Sequence, residues 1–240
     1  MKKLPFPPPA ELAGQLQRLT SLEGMTRDDW LRLLEQVDHV ALYGYRMGEF
    51  LIREGDDQDR CLLILLSGSA SVVKSGSSIP LATLTPGDFF GEIAFLTNRV
   101  RTTNVIVHAP VAPAVGGEVG AVRRMDESAV VFRMGRGVLG HLPAEVRERL
   151  KDAVIGRLFR LLDSMTDQVI RLTGEAPEFL VDTTLATAIQ AVEGENKGQT
   201  IGYRRTMATL SRVAREDLKD RFIERLADYL SALNQRMADY

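Results

Sequence analysis

Between Ala41 and Val107 no apolar stripe lasts more than a few residues before a glycine or a polar pair interrupts it. The runs ALYGYRMGEFLI, CLLILLSGSASVV, PLATLTPGDFF and TTNVIV are too short and too closely punctuated for helices. Many short strands at this spacing predict an antiparallel barrel or roll, in which layering or closure disposes of exposed strand edges. Upstream, Thr26–Asp29 (TRDD) has the form of a capping box, and Trp30, Leu33, Leu34 and Val37 recur at helical spacing. A short amphipathic helix is therefore expected ahead of the strands. The fold class is mainly β with flanking helices.

After His141 the period becomes helical. Pro143 suits a first helical position, and Val146, Leu150, Val154, Leu158, Leu161, Met165, Val169 and Leu172 step by three or four toward a stop at Gly174. Gly156 falls inside this helix, where close packing against another helix would account for it. From Tyr203 to Tyr240 there is neither glycine nor proline, and Met207, Leu210, Ala214, Leu218, Phe222, Leu226, Tyr229, Leu233 and Met237 form a second stripe. Left alone, that stripe would expose a long apolar face. It must dock on the roll, on a second copy or on another protein.

Residues Pro110–Asp126, rich in Pro, Gly and small residues, read as a surface loop between two strands, because SAVVFRM resumes the strand pattern. Its GGEVG lacks the preceding strand and following helix of a dinucleotide fingerprint. The N-terminal MKKLPFPPPAELAG carries four prolines and only interrupted apolar residues. It fails as a secretory signal and reads as a stiff, partly extended leader. The organisation expected is a leader and short helix over 1–24, a β domain over 25–165 with the 110–126 loop inserted, and an all-α extension over 166–240.

Several function classes lose support at this stage. No apolar run approaches the ~20 residues of a spanning helix, so no membrane partner is expected. Cys61 is the sole cysteine, which excludes an internal disulfide or a cysteine-based metal cluster; its place in CLLILL predicts a buried thiol and fits a reducing cytoplasm. His39, His108 and His141 lie far apart without metal-ligand spacing and read as surface or loop residues. No nucleophile elbow, P-loop or kinase signature appears, so neither catalysis nor a cofactor is expected. A net charge of -2 gives no global field toward nucleic acid.

The chemistry concentrates in GDFFGEIAFLTNRVRTTNVIV, from Gly87 to Val107. Pro86-Gly87-Asp88 marks a turn, and Gly91 opens one short helical turn over Glu92–Leu96. The start of such a turn presents unpaired backbone N–H groups, and the missing Cβ lets an anion approach. Arg101 adds a planar fork of donors matched to two phosphate oxygens. Glu92 would repel a bare phosphate; it makes sense where the ligand also offers a hydroxyl, as a ribose 2′-OH beside a cyclised phosphate does. The combination asks for a nucleotide. A plain surface ion pair between Glu92 and Arg101 would leave Gly91 and the adjoining turn unexplained.

GEIAFL followed by RTTNV resembles the phosphate-binding cassette of cyclic nucleotide-binding domains. The resemblance covers roughly Thr26 to Met165 and includes GEFLIREGD, LSGSASVV and LTPGDFFGE. It implies a β-roll of the cyclic nucleotide-binding type and a cAMP or cGMP receptor. It also implies roles: backbone N–H contacts from Gly91, Ile93 and Ala94, ribose contact from Glu92, and cyclic-phosphate contact from Arg101. The interval between Glu92 and Arg101 is similar to that in protein kinase A regulatory subunits and cyclic-nucleotide-gated channels. Thr102, next to Arg101, corresponds to a threonine that contacts guanine in similar proteins, and Thr103 completes the candidate set; cAMP and cGMP both stay open. The departures are Val100, where many members carry proline, and the 110–126 loop.

In similar domains the helix after the roll moves on ligand binding, which makes Pro143–Leu172 a lid and dimer seam and the tail an output surface for a homodimer or protein partner. Two other readings stand beside this one. One is a nucleotide-independent scaffold on the same fold. The other is a DNA-binding regulator of the catabolite activator type: Gln199–Arg225 holds seven basic residues against four acidic ones. It lacks a glycine-marked tight turn, however, and Glu216, Asp217, Asp220 and Glu224 interleave at helical spacing, so no DNA binding is expected.

Overall fold

The computed structural model describes residues 1–19, 22, 24–76, 80–108, 127–174 and 212–238. The chain divides into two compact units, Met1–Ala153 and Val154–Tyr240.

The first unit is built on two antiparallel sheets. In one, β1 (Lys2–Leu4), β2 (Val40–Tyr45), β9 (Ala129–Gly135), β4 (Cys61–Ser67) and β7 (Phe89–Phe90) lie side by side in that order. In the other the order is β3 (Phe50–Ile52), β8 (Asn104–His108), β5 (Ser69–Val73) and β6 (Pro80–Leu84). Strand β4 is buried along nearly its whole length, which is why its sequence runs CLLILL without alternation. Its odd positions, Cys61, Leu63 and Leu65, join Ala70, Leu84, Val105 and Val107 of the second sheet in one core. On the other side Ile64 pairs in register with Phe132, whose ring meets Trp30 edge-on at 6.5 Å.

Trp30 belongs to α2 (Arg27–Leu34), whose cap is the expected box: Thr26 accepts from Asp29 N–H, and the Asp29 carboxylate accepts from Thr26 N–H. The helix ends earlier than the spacing implied, and Val37 lies beyond it, 66% exposed. The N-terminus also differs from a leader. Lys2–Leu4 pairs with Leu42–Gly44, and α1 (Pro9–Leu19) buries Leu12, Ala13 and Leu16. The Pro7–Pro9 run therefore acts as a helix entrance, with Pro8 C=O accepting from Glu11 and Leu12 N–H, because proline's fixed φ suits a first turn.

A 3₁₀ turn (Arg136–Gly140) leads into α4 (Ala144–Thr173), with Arg147 N–H donating to Pro143 C=O and Gly174 closing the helix at φ +74. Arg149 on α4 grips Asp29 through two bonds of 2.6 and 2.9 Å. The boundary between the two units falls inside α4, at Ala153/Val154. His39, in the turn before β2, and the exposed His141, after the 3₁₀ turn, are loop residues as expected, and they stack with ring centroids 4.8 Å apart; His108 instead ends β8.

In the second unit, Val154, Leu158, Leu162, Met165 and Val169 are buried. The stripe passes through Leu162 rather than Leu161, since 3.6 residues per turn favours the later of two adjacent leucines. Among the described residues an added Cβ at Gly156 would meet only Arg160 Nη1 at 3.7 Å, and no close helix packing is seen there among them. Helix α5 (Arg212–Ala238) buries Ile223, Leu226, Ala227, Leu230 and Leu233, while Tyr229 and Met237 are half-buried. The stripe runs through Ile223 and Leu230 instead of Tyr229. The 110–126 loop, Met207, Leu210 and the 199–211 part of the segment weighed as a DNA-reading helix pair lie outside the described residues.

Candidate functional site

The turn at Thr85–Asp88 forms as its sequence implies, with Asp88 N–H bonded to Thr85 C=O and the Asp88 carboxylate accepting from Thr85 N–H and Oγ1. Gly87 N–H and Asp88 C=O then pair with both sides of Leu65, which fastens the turn to β4. From there β7 delivers the chain to Gly91 at φ +80, a left-handed conformation that a β-carbon disfavours. A Cβ would also stand 2.5 Å from Arg101 Nη1 and 2.9 Å from Cys61 C=O. Glycine is required here twice over, by conformation and by space.

Helix α3 (Glu92–Leu96) starts at that glycine. Its first intrahelical bond is Phe95 N–H to Gly91 C=O at 3.2 Å, so the amides of Glu92, Ile93 and Ala94 precede the ladder. Ile93, Ala94 and Phe95 are buried, and Thr97 closes the turn by donating its hydroxyl to Ile93 C=O at 2.6 Å.

Glu92 is 6% exposed and Arg101 3%, so the two cannot be a surface pair. Arg101 Nη1 donates to Gly91 C=O and Nη2 to Cys61 C=O, each at 2.8 Å; the carboxylate it approaches is Asp59, at 3.7 Å, rather than Glu92. Burial lowers the Arg101 pKa from its ordinary value, while Asp59 acts in the opposite sense. A guanidinium stays charged even so. The result is a buried cation whose direct partners are neutral carbonyls, with donors of its fork to spare.

The main chain of Arg101 is clamped on both sides by the loop after β3: Gly55 N–H donates to Arg101 C=O, and Arg101 N–H to Asp56 C=O, both at 2.9 Å. This is the structural use of REGDD. Behind it, Asp59 bonds Arg133 at 2.8 Å, and Arg133 Nε donates to the Cys61 sulfur at 2.9 Å. Burial pushes Asp59 up, but the Cys61 thiol and the charges of Arg133 and Arg101 outweigh it and hold the carboxyl below the usual range. Burial and Asp59 together push the Cys61 thiol up to about 11, so it is inert as a nucleophile at neutral pH.

A second network holds the residues after Arg101. Lys74 Nζ contacts the Glu54 carboxylate and donates to Thr102 C=O at 3.1 Å; Glu54 also accepts from Ser75 N–H, and Asn104 Oδ1 accepts from Glu54 N–H. Thr102 and Thr103 are half-buried and precede β8, so they are not strand residues.

Sequence reasoning therefore located Gly91, Glu92, Ile93, Ala94 and Arg101 on one short stretch that the fold closes into a turn. It missed Glu54 and Asp59, which act from the loop between β3 and β4, Lys74, which follows β5, and Arg133 on β9. Only the acid-rich EGDDQD pointed toward two of them, Glu54 and Asp59.

Residues 44–112 match the family model described as the cyclic nucleotide-binding domain. The cAMP-dependent protein kinase regulatory subunit of Aspergillus niger is 30% identical over 129 residues, 54% of this chain and 30% of that protein. That of Emericella nidulans is 36% identical over 118 residues, 49% of this chain and 28% of the relative. The cGMP-dependent protein kinase egl-4 of Caenorhabditis elegans is 30% identical over 105 residues, 42% of this chain and 13% of the relative. The chain thus spans at most 30% of the length of these relatives. A solved cyclic nucleotide-binding domain from Methylobacillus flagellatus superposes with a TM-score of 0.47, with 17% identity over 70% of this chain and 84% of that one. Among the described residues no helix is long and apolar enough to cross a membrane.

Proposed function

We propose, from the premise that residues 44–112 form a cyclic nucleotide-binding domain, that this chain is a sensor of a 3′,5′-cyclic mononucleotide, cAMP or cGMP, and has no catalytic activity of its own. The observation that carries the reading is Arg101: a buried guanidinium beside the left-handed Gly91, bonded directly to carbonyls and clamped through its own main chain. A cation in that state gains from an anion far more than a solvated surface arginine does, because the cost of removing it from water has already been met in folding.

In this reading the amides of Gly91, Ile93 and Ala94 and the Arg101 fork take the cyclic phosphate. Glu92 accepts the ribose hydroxyl, and Thr102 and Thr103 face the sugar and base. Binding shifts α4 between two packings, and the C-terminal helices carry the signal to a second copy of the chain or to a protein partner in the cytoplasm. Neither DNA nor membrane enters this account.

Calorimetry with cAMP and with cGMP, on protein freed of co-purified ligand, tests it. Micromolar or tighter binding of either is expected, and Arg101→Ala should lose ~2–5 kcal/mol, the order seen when one partner of a buried charge pair is removed. No binding of either nucleotide at millimolar concentration would leave a nucleotide-independent scaffold.

A further inference from the structure

Arg60, just ahead of β4, and Arg136, the first residue of the 3₁₀ turn, converge on one atom. Arg60 Nη1 donates to Asn98 Oδ1 at 2.7 Å, and Arg136 Nη1 donates to the same oxygen at 2.8 Å and to Thr97 C=O at 2.9 Å. The shared oxygen places the two nitrogens no more than about 5.5 Å apart, well inside the range of unscreened repulsion.

One neutral amide oxygen compensates neither charge. Among the described residues no carboxylate lies within ion-pair distance of either guanidinium. The arrangement is nonetheless held in place: Arg136 N–H donates to Arg60 C=O at 3.1 Å, so both side chains leave from one backbone contact. Thr97 and Asn98, at the end of α3, form the opposite wall. Each fork keeps donors beyond those committed to Asn98 and Thr97, arranged for two oxygens of a planar or tetrahedral anion.

We infer that Arg60 and Arg136, with Asn98 as their spacer, form a phosphate-binding site separate from the Gly91–Arg101 turn. Two fixed guanidiniums carry two positive charges. A phosphate monoester or inorganic phosphate, dianionic near neutral pH, cancels both, which a single carboxylate does not. Because the arginines come from the residue ahead of β4 and from the 3₁₀ turn before α4, a bound phosphate would tie the end of α3 to the entrance of that helix. The inference stands whether or not a cyclic nucleotide binds at Arg101.

The test is thermal unfolding of the full chain in inorganic phosphate and in chloride at matched ionic strength. Phosphate should raise the midpoint by about 2–4 °C beyond chloride. Arg60→Gln and Arg136→Gln should each abolish that increment, and Arg101→Gln should keep it, which separates this site from the cassette. Asn98→Asp puts a carboxylate where the two arginines meet. It should raise the midpoint in chloride and remove the response to phosphate, so the inference remains testable if an arginine variant fails to fold. A parallel titration with a phosphoserine hexapeptide identifies the source: binding about 10-fold tighter than inorganic phosphate assigns the group to a protein, and equal binding assigns it to the free anion. An increment that chloride reproduces, that survives in the double Arg60→Gln/Arg136→Gln variant, or that Asn98→Asp leaves intact overturns the site.

Discussion

Arg101 Nη1 donates to the carbonyl of Gly91 across 2.8 Å, so the cation of the candidate site and the glycine that opens it are bonded to each other. The conformation of one is therefore a condition for the placement of the other. Gly91→Ala meets both penalties at once: a β-carbon at φ +80, and a contact of 2.5 Å with the Arg101 guanidinium. The variant should lose ~1–3 kcal/mol of stability, the range for a residue forced into a disfavoured conformation, and should bind cyclic nucleotide at least tenfold more weakly. Chemical denaturation and calorimetry on the same sample check the two effects. Wild-type affinity in this variant would remove Gly91 from the site.

Asp29 serves two partners, the Thr26 cap and Arg149 on α4. Burial raises its pKa, but the hydrogen bonds from Arg149 and Thr26 prevail and hold it below the ordinary aspartate value. A carboxyl depressed in the folded state stabilises above its unfolded value and loses that contribution as pH falls through the folded one. Asp29→Asn should therefore cost ~1–2 kcal/mol at pH 7. The gap from wild type should close below about pH 4. Urea midpoints at pH 3 and pH 7 measure it, and a gap independent of pH would mean that the carboxylate charge is not the cause.

Lys74 reaches across from the end of β5 to Thr102 C=O and Glu54, each of them bound to the chain around Arg101. Burial raises Glu54, but Lys74 and the Ser75 amide lower it further, below the ordinary glutamate value. Lys74→Met keeps the length of the side chain and removes the charge. It should weaken nucleotide binding by about 3- to 10-fold with the protein still folded, because Thr102 loses its anchor. Glu54→Gln, which keeps the Ser75 bond, should do less. Equal affinities in wild type and Lys74→Met would show that this network supports the sheet alone.

Gly156 sits in the middle of α4, where among the described residues an added Cβ would meet only Arg160 Nη1, at an ordinary contact of 3.7 Å. Gly156→Ala should stabilise the chain by ~0.5–1 kcal/mol by reducing the entropy of the unfolded state and filling no occupied volume. Differential scanning calorimetry would register this as a higher midpoint. Destabilisation would reveal a neighbour at this position.

The parts of this architecture that were legible in the sequence are those whose physics is local. The capping box at Thr26–Asp29, the turn through Gly87 and the glycine that opens α3 each depend on residues within four positions, and each forms as read. Glu92 and Arg101 were visible because both lie on one short connection between strands. What stayed hidden depends on pairing between distant segments. Nothing in the local pattern around Lys2–Leu4 announces that it pairs with β2, because prolines immediately downstream dominate the composition there. The choice between Leu161 and Leu162 turns on a single residue of helical phase, and the stacking of His39 on His141 exists only once β2 and the 3₁₀ turn are in place. Asp59 likewise acquires its meaning from Arg133, which is 74 residues away along the chain.

The central position of β9 has a consequence for how the molecule is made. Val40 pairs with Met134 and Cys61 with Gly135, so β9 joins β2 to β4, and neither of those strands pairs with the other. During synthesis β2 and β4 leave the ribosome long before their shared neighbour, at ~5–20 residues per second, and for those seconds each presents an unpaired edge. The second sheet has no such wait, since β5, β6 and β8 are all present once His108 has emerged. Nucleation should therefore begin there, with closure of the five-stranded sheet as the late event. Lengthening the segment between His108 and Ala129 would slow that closure only slightly, because the entropy of closing a loop grows with the logarithm of its length, at ~0.6 kcal/mol per doubling. Ending translation before Ala129, by contrast, would leave a nascent chain with two of its most apolar strands open to other chains, a species expected to aggregate rather than wait.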